Sequence, residues 1–258
     1  MTSSTEKARS FHSLHVRGQP LVLFNIWDVG SAKAVAAAGA RALATGSWSV
    51  ARANGYEDGE RVPLEFALEN LARIVRATDV PVTIDLESGY GRTPEEVGRT
   101  IERSIDAGAI GCNLEDSVPG SGSLRAIAEQ VERIVQARKV ADAKQIPYFI
   151  NLRCDVFFAN DPSLANDDER VRVVLERARA YAAAGADGLF VPGLVNSRLI
   201  GLIADAAPLP LNIMVGDETP SLRELSSLGV ARVSHGPRPY VSVMKALEEV
   251  ARQAARMS

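Results

Sequence analysis

Hydrophobic and polar positions along this chain fall into two alternating textures. Short apolar runs rich in β-branched residues have the profile of buried strands, and longer stretches with apolar residues three or four apart have the profile of helices with one buried face. The strand-like runs are Leu21–Ile26, Arg41–Thr45, the run through Val80, Val82, Thr83 and Ile84, Ala109–Asp116, Pro147–Arg153, Ala186–Pro192, Leu209–Val215 and Val230–Gly236. Between them the spacing predicts helices over Ser31–Ala38, from Pro63 to about Thr78, from Thr93 onward, from about Leu124 to Ala143, and over Asp168–Ala184, Ser197–Ala206, Ser221–Leu228 and Pro239–Arg256. Thr93-Pro94-Glu95-Glu96 supplies a capping hydroxyl, a proline at the first helical position and acids in the first turn. Gly39, Gly108, Gly185 and Gly229 each stand between a helix end and a strand start, where a left-handed residue closes a helix.

Eight strand-then-helix units in 258 residues predict a single α/β domain, a closed (β/α)8 TIM barrel spanning residues 1–258, with a polar arm or short helix at about 1–20. An open doubly wound sheet is the alternative; it places a ligand at a switch point rather than around a ring. No GxGxxG follows the first strand and no phosphate-binding GxxxxGK[ST] is present. The irregular stretch after Arg153 reads as an acidic loop through Asp167.

Composition narrows the class without naming a reaction. A hydrophobic fraction of 46% and a charged fraction of 24% are ordinary for a globular protein. A formal net charge of -3 gives no basic surplus for nucleic acid or an anionic membrane. No apolar span reaches membrane length, and the first residues lack the apolar core of a signal peptide, so a cytoplasmic location is expected. Cys112 and Cys154 sit in apolar runs and read as reduced packing residues.

The chemistry gathers at the carboxyl ends of the strands, where a barrel builds its active site. In VTIDLESGYG the strand ends in Asp85 and Glu87, two residues apart and therefore able to share a face, and then enters a glycine-rich loop. Two adjacent carboxylates repel unless a cation or a proton lies between them. The other strand ends offer Asn25, Asp28, Gly46–Ser49, Glu115, Asp116, Arg153, Asp155, Pro192, Asn212 and His235, with Asp58 in the GYEDGE loop. The acids suit a hard cation, Mg²⁺ or Mn²⁺, held by Asp85 directly or through water with Glu87, Glu115 and Asp58 as outer partners. A plain acidic strand end capping its loop is the competing reading. Arg153 either pairs with Glu115 or Asp155 as structure or grips a substrate carboxylate. The GSWS turn offers backbone N–H groups as an anion nest, or is simply a tight loop. His235 fits a turn, and Trp27 and Trp48 fit packing.

NIWDVGSA, GYEDGE, DLESGYG, NLEDS and NLRCDVF together resemble the isocitrate lyase/phosphoenolpyruvate mutase superfamily, from about Leu21 to the last helix. The resemblance implies a barrel enzyme, a lyase of this type, that binds Mg²⁺ and a small 2-oxo or 2-hydroxy carboxylate and works through a pyruvate-like enolate. Position by position it implies Asp85 as the direct metal ligand and Glu87, where the family usually has aspartate, as a water-mediated one. Glu115 becomes the acid after the fourth strand, and Asp58 the aspartate of the second-strand loop, a catalytic residue that orients or deprotonates a substrate hydroxyl or water. Arg153 takes the role of holding the substrate carboxylate and enolate. Ser47 and Trp48 fall where backbone amides grip the carboxylate, and Asn212 lies near the substrate. The lyases carry a Lys-Lys/Arg-Cys-Gly-His motif in the loop after the fourth strand; here that loop reads SVPGSGSLRAI, without cysteine, lysine or histidine. A positioned acid contributes about 10²–10⁴-fold, so its absence points to decarboxylation or another solvent-quenched cleavage rather than isocitrate or methylisocitrate lysis. Phosphonopyruvate-type P–C mutase or hydrolase chemistry and a non-catalytic 2-oxo acid binding barrel are the alternatives. The Gly120/Gly122 pair permits a lid, and a homo-oligomer is expected.

Overall fold

Every expected strand forms, and all of them pair in parallel with their neighbours. The computed structural model describes residues 3–159, 164 and 166–256, so much of the acidic loop expected before Asp167 lies outside the described residues. The first apolar run is broken at Phe24: β1 (Leu21–Leu23) pairs with β9 (Arg232–Ser234), and β2 (Asn25–Ile26) pairs with β3 (Leu43–Thr45). Between them run β4 (Val82–Asp85), β5 (Gly111–Glu115), β6 (Phe149–Arg153), β7 (Gly188–Val191) and β8 (Leu211–Met214). The sheet order β1-β9-β8-β7-β6-β5-β4-β3-β2 therefore begins and ends on two pieces of one run, which closes the barrel. This is the (β/α)8 TIM barrel expected from the unit count.

The helices are α1 (Ser4–Ser13), α2 (Val29–Ala37), α3 (Ser47–Ala53), α4 (Leu64–Arg76), α5 (Pro94–Asp106), α6 (Ile127–Ala143), α7 (Asp167–Ala183), α8 (Ser197–Ala206), α9 (Leu222–Ser227) and α10 (Arg238–Ala255). Thr93 and Glu96 form a reciprocal cap at the start of α5, as the sequence signals. Gly39, Gly108, Gly185 and Gly229 are all left-handed, with φ of 91°, 99°, 105° and 85°. Two boundaries differ from expectation. GSWS is not a free turn, because Gly46 is the N-cap of the short helix α3. The helix expected from Leu124 begins at Ile127.

Alternation along each strand sorts residues into two environments. Cys112, Leu114, Ile150, Leu152, Leu211 and Ile213 face the helices in one continuous apolar core, and both cysteines are free and buried. Each fully buried aliphatic side chain there contributes about 1.5–3 kcal/mol. Inside the barrel the layers change character from bottom to top. The floor is apolar: Phe11 of α1 packs edge-on to Phe149 at 5.3 Å, with Ala8, Leu14, Leu21 and Leu23 around it. The N-terminal arm is thus a plug, tied to the amino ends of the strands by His12 Nε2 against the Pro147 carbonyl at 3.0 Å and the Gly18 N–H donating to the Val230 carbonyl at 3.2 Å. Above it lies a polar layer in which Asn113 Oδ1 accepts from Asn151 Nδ2 at 2.9 Å and from Arg232 at 3.3 Å across the barrel. The acids stand on top.

The outer wall is uneven. Helix α10 buries only Pro239, leaving Val243, Leu247 and Val250 at 46%, 59% and 63% exposure. An apolar groove of about 630 Å³, lined by Pro20, Val22, Phe24, Ala34, Val35 and Ala38, runs beside β1 and α2. No described helix is long and apolar enough to cross a membrane.

Candidate active site

Strand register assembles the upper layer. Glu115 at the end of β5 is paired with Arg153 at the end of β6, and Asp85 with Asn113. Glu115 Oε1 accepts from Arg153 Nη1 at 2.6 Å, and Asp155 Oδ1 accepts from Arg153 Nε at 2.6 Å. Arg153 therefore makes both candidate ion pairs. Its guanidinium also lies 5.7 Å from the Phe158 ring. Nη2 donates to no acceptor among the described residues, and the side chain is 21% exposed. The fork is pinned at two corners and open at the third.

Asp85 ends β4 with its own N–H donating to Thr45 Oγ1 at 3.0 Å. Its carboxylate accepts from the Ser47 N–H at 3.2 Å and the Glu87 N–H at 3.4 Å. The Ser47 amide is thus engaged with Asp85, and the Trp48 ring packs edge-on to Tyr240 at 5.9 Å beneath Arg52. Glu87 is 5% exposed with φ 50°. Its Oε2 accepts from the Glu60 N–H at 2.6 Å and its Oε1 from the Tyr90 hydroxyl at 3.2 Å. Glu60 carries no signal as a site residue in the sequence pattern, yet it is a direct neighbour of the acids.

Crowding is visible in the acidities. Burial, then repulsion by Asp85 and Asp58, pushes Glu87 up to about 7. Asp58 moves in the same direction through partial burial and Asp85, although an edge of it stays exposed. Burial also pushes Glu115 up, with Asp85 and Asp155 adding to it, while the Arg153 guanidinium opposes them. Burial alone lowers Arg153, but Glu115 and Asp155 outweigh it, so the guanidinium stays charged.

Asp116, next to Glu115, belongs to the architecture. It is fully buried, and its Oδ2 accepts from Arg177 at 3.1 Å and from the Tyr181 hydroxyl at 2.9 Å. Asn212 is fully buried on β8; its Oδ1 accepts from the Ser234 hydroxyl at 3.1 Å and its Nδ2 has no partner among the described residues. The His235 N–H is held by Asn25 Oδ1 at 3.0 Å and its ring leans on Phe24, so it shapes the turn. The loop after β5 folds on itself through a Ser117–Leu124 bridge, and the Ser117 hydroxyl lies 2.8 Å from Asp155 Oδ2 and 3.3 Å from Glu115 Oε2.

Among the described residues no group of three or more His, Cys, Asp or Glu converges as a ready-made metal cage. The donor set nevertheless fits a hard cation. Its atoms are carboxylate oxygens, their mutual repulsion is what a divalent charge relieves, and Mg²⁺ commonly takes one or two carboxylates and keeps waters elsewhere. Asp85, with Glu87, Glu115 and Asp58 around it, could hold such an ion.

The family profile for phosphoenolpyruvate phosphomutase matches residues 11–255. A crystal structure of a candidate phosphonomutase from Burkholderia cenocepacia J2315 superposes with a TM-score of 0.94 and 57% identity, covering 98% of this chain and 100% of that one. The 2-methylisocitrate lyase of Escherichia coli K12 is 28% identical over 251 residues, 94% of this chain and 82% of the relative. A phosphonopyruvate hydrolase, crystallised with oxalate and Mg²⁺, has the same fold at a TM-score of 0.83 and 21% identity, with 97% and 87% of the two chains covered. Lyases, decarboxylases and mutases all occur among such relatives. The chain belongs to the phosphoenolpyruvate phosphomutase family, within the isocitrate lyase/phosphoenolpyruvate mutase superfamily.

Proposed function

We propose that this protein is a Mg²⁺- or Mn²⁺-dependent carbon–carbon lyase or decarboxylase acting on a small 2-oxo or 2-hydroxy carboxylate through a pyruvate-like enolate. The observation that carries the reading is the open corner of Arg153. Its other donors are fixed by Glu115 and Asp155 at 2.6 Å, so the guanidinium needs no reorganisation to meet an incoming anion. Asp85, with Glu87 and Glu115 beside it, would hold the divalent ion, which when bound would supply Lewis-acid polarisation of the substrate oxygens.

The chain's own groups divide the remaining work. Arg153 Nη2 binds the carboxylate and faces the negative charge that develops as the bond breaks. Asn212 Nδ2, buried without a partner among the described residues, offers a further donor to the substrate. Asp58, partly exposed and raised by its neighbours, takes or orients the proton of a substrate hydroxyl or of water. With no acid on the Ser117–Leu124 hairpin, the enolate is quenched by solvent, which favours decarboxylation. In Asp85→Ala, pyruvate formation from 2-oxo and 2-hydroxy dicarboxylates is expected to fall at least about 100-fold and to lose its dependence on added Mg²⁺. Unchanged turnover would remove Asp85 from the mechanism. The 57% identity to a candidate phosphonomutase favours P–C chemistry as the second reading; incubation with phosphonopyruvate followed by ³¹P NMR separates the two. The unburied α10 stripe and the groove beside β1 support a homo-oligomer, in which a second copy supplies the complement of each.

A further inference from the structure

The loop that carries Glu87 is gripped from both sides by groups of opposite charge. On one side Glu60 Oε1 accepts from the Ser88 hydroxyl at 2.7 Å and from the Tyr90 N–H at 2.8 Å, while the Glu60 N–H donates to Glu87. On the other side Arg133, fully buried on α6, donates to the carbonyls of Ser88 at 2.6 Å, Gly91 at 2.9 Å and Arg92 at 3.4 Å. Two donors of the loop go to one carboxylate and three of its carbonyls to one guanidinium.

The backbone inside this grip is strained. Glu60, Glu87 and Tyr90 have φ of 59°, 50° and 51°, and elsewhere among the described residues only Gln145 is a left-handed non-glycine. Such a conformation is costly for a residue with a Cβ and persists only where the surroundings over-determine it. Helix α6 supplies one determinant. Strand β5 supplies another through the Glu115 N–H on the Glu87 carbonyl at 2.7 Å, and Glu60 of the second loop a third, the one that meets the Glu87 carboxylate.

We propose that Glu60 is a positioning residue of the acid site: its hydrogen bonds to Ser88, Tyr90 and Glu87 hold the 87–91 loop in the left-handed shape that keeps the Glu87 carboxylate beside Asp85. This rests on the cation reading given above. The test uses the purified full chain as wild type, Glu60→Ala, Glu60→Gln and Asp85→Ala. Two measurements are made on each: amide hydrogen exchange over residues 86–92, and Mn²⁺ titration. In Glu60→Ala, exchange over 86–92 rises at least about 10-fold and the Mn²⁺ Kd rises about 10–100-fold, as for other groups that orient a metal ligand. Glu60→Gln, whose amide oxygen accepts the same two bonds, restores both to within about threefold of wild type. Ser88→Ala, which removes one donor of the latch, lies between them and serves if Glu60→Ala does not fold. Wild-type exchange and Mn²⁺ affinity in Glu60→Ala overturn the proposal, as does Glu60→Gln as impaired as Glu60→Ala. Mn²⁺ affinity untouched by Asp85→Ala instead sinks the cation reading, and the exchange measurement still decides whether Glu60 sets the loop.

Discussion

Glu115 and Asp116 are neighbours in sequence and opposites in role, because consecutive residues at a strand tip face opposite ways. Glu115 looks into the barrel mouth and meets Arg153; Asp116 looks into the helix layer and meets Arg177 and Tyr181. Asp116→Ala leaves the Arg177 charge buried without its partner, a loss of about 3–5 kcal/mol that urea denaturation will register. Glu115→Gln is expected to lose less stability than Asp116→Ala and at least about 10-fold in turnover, read by pyruvate release. Equal stability loss in the two variants would contradict this division. The period of two also explains why Asp85, Glu115 and Arg153 were legible in sequence, since each stands where an apolar run stops. Glu60 and Arg133 were not. One depends on a left-handed backbone at a glutamate and the other on how α6 docks, and neither leaves a local pattern.

At the scale of elements, strands and helices were readable from periodicity, but what interrupts or caps them was less so. Phe24 sits within an unbroken apolar run, and only the need of the first strand to pair on both sides divides it there. α3 is missed because a seven-residue helix without a side-chain cap looks like a turn. The arm was expected as an arm or short helix; its role as a plug depends on Phe11, His12 and His15 meeting Phe149, a contact across the chain. His15 stacks on Phe149 at 4.0 Å. Burial, followed by repulsion from Arg232, lowers its pKa from the ordinary 6.5 to about 3. Between those values the unfolded chain binds a proton that the folded chain refuses, so stability rises with pH across that window. It is fully present above about pH 6.5 and is lost on acidification, by up to about 1.4 kcal/mol per pH unit. Urea midpoints for His15→Phe are expected to fall less steeply with acid than those of wild type. Parallel slopes would show that this histidine does not carry the effect.

For the molecule as a whole, eight repeated units announced the barrel, whereas the apolar stripe and groove on its outer wall were visible only once folded. The apolar stripe of α10 and the groove beside β1 are the faces that the homo-oligomer proposed above would cover. Light scattering of the wild-type chain is expected to report a mass of at least twice the 27.6 kDa protomer, and Leu247→Glu with Val250→Glu to report one protomer. A wild-type monomer would remove the second copy from the picture.

The plug at the floor has a consequence for traffic. Because α1 stoppers the amino end of the barrel, reactant and products of the proposed reaction would share one doorway, the rim where Asp85 and Arg153 stand. A departing fragment that retains a carboxylate must leave past the same guanidinium that welcomes the next molecule. Small carboxylic acids released by the reaction should therefore compete with fresh substrate, and the last fragment out should be the one that lingers.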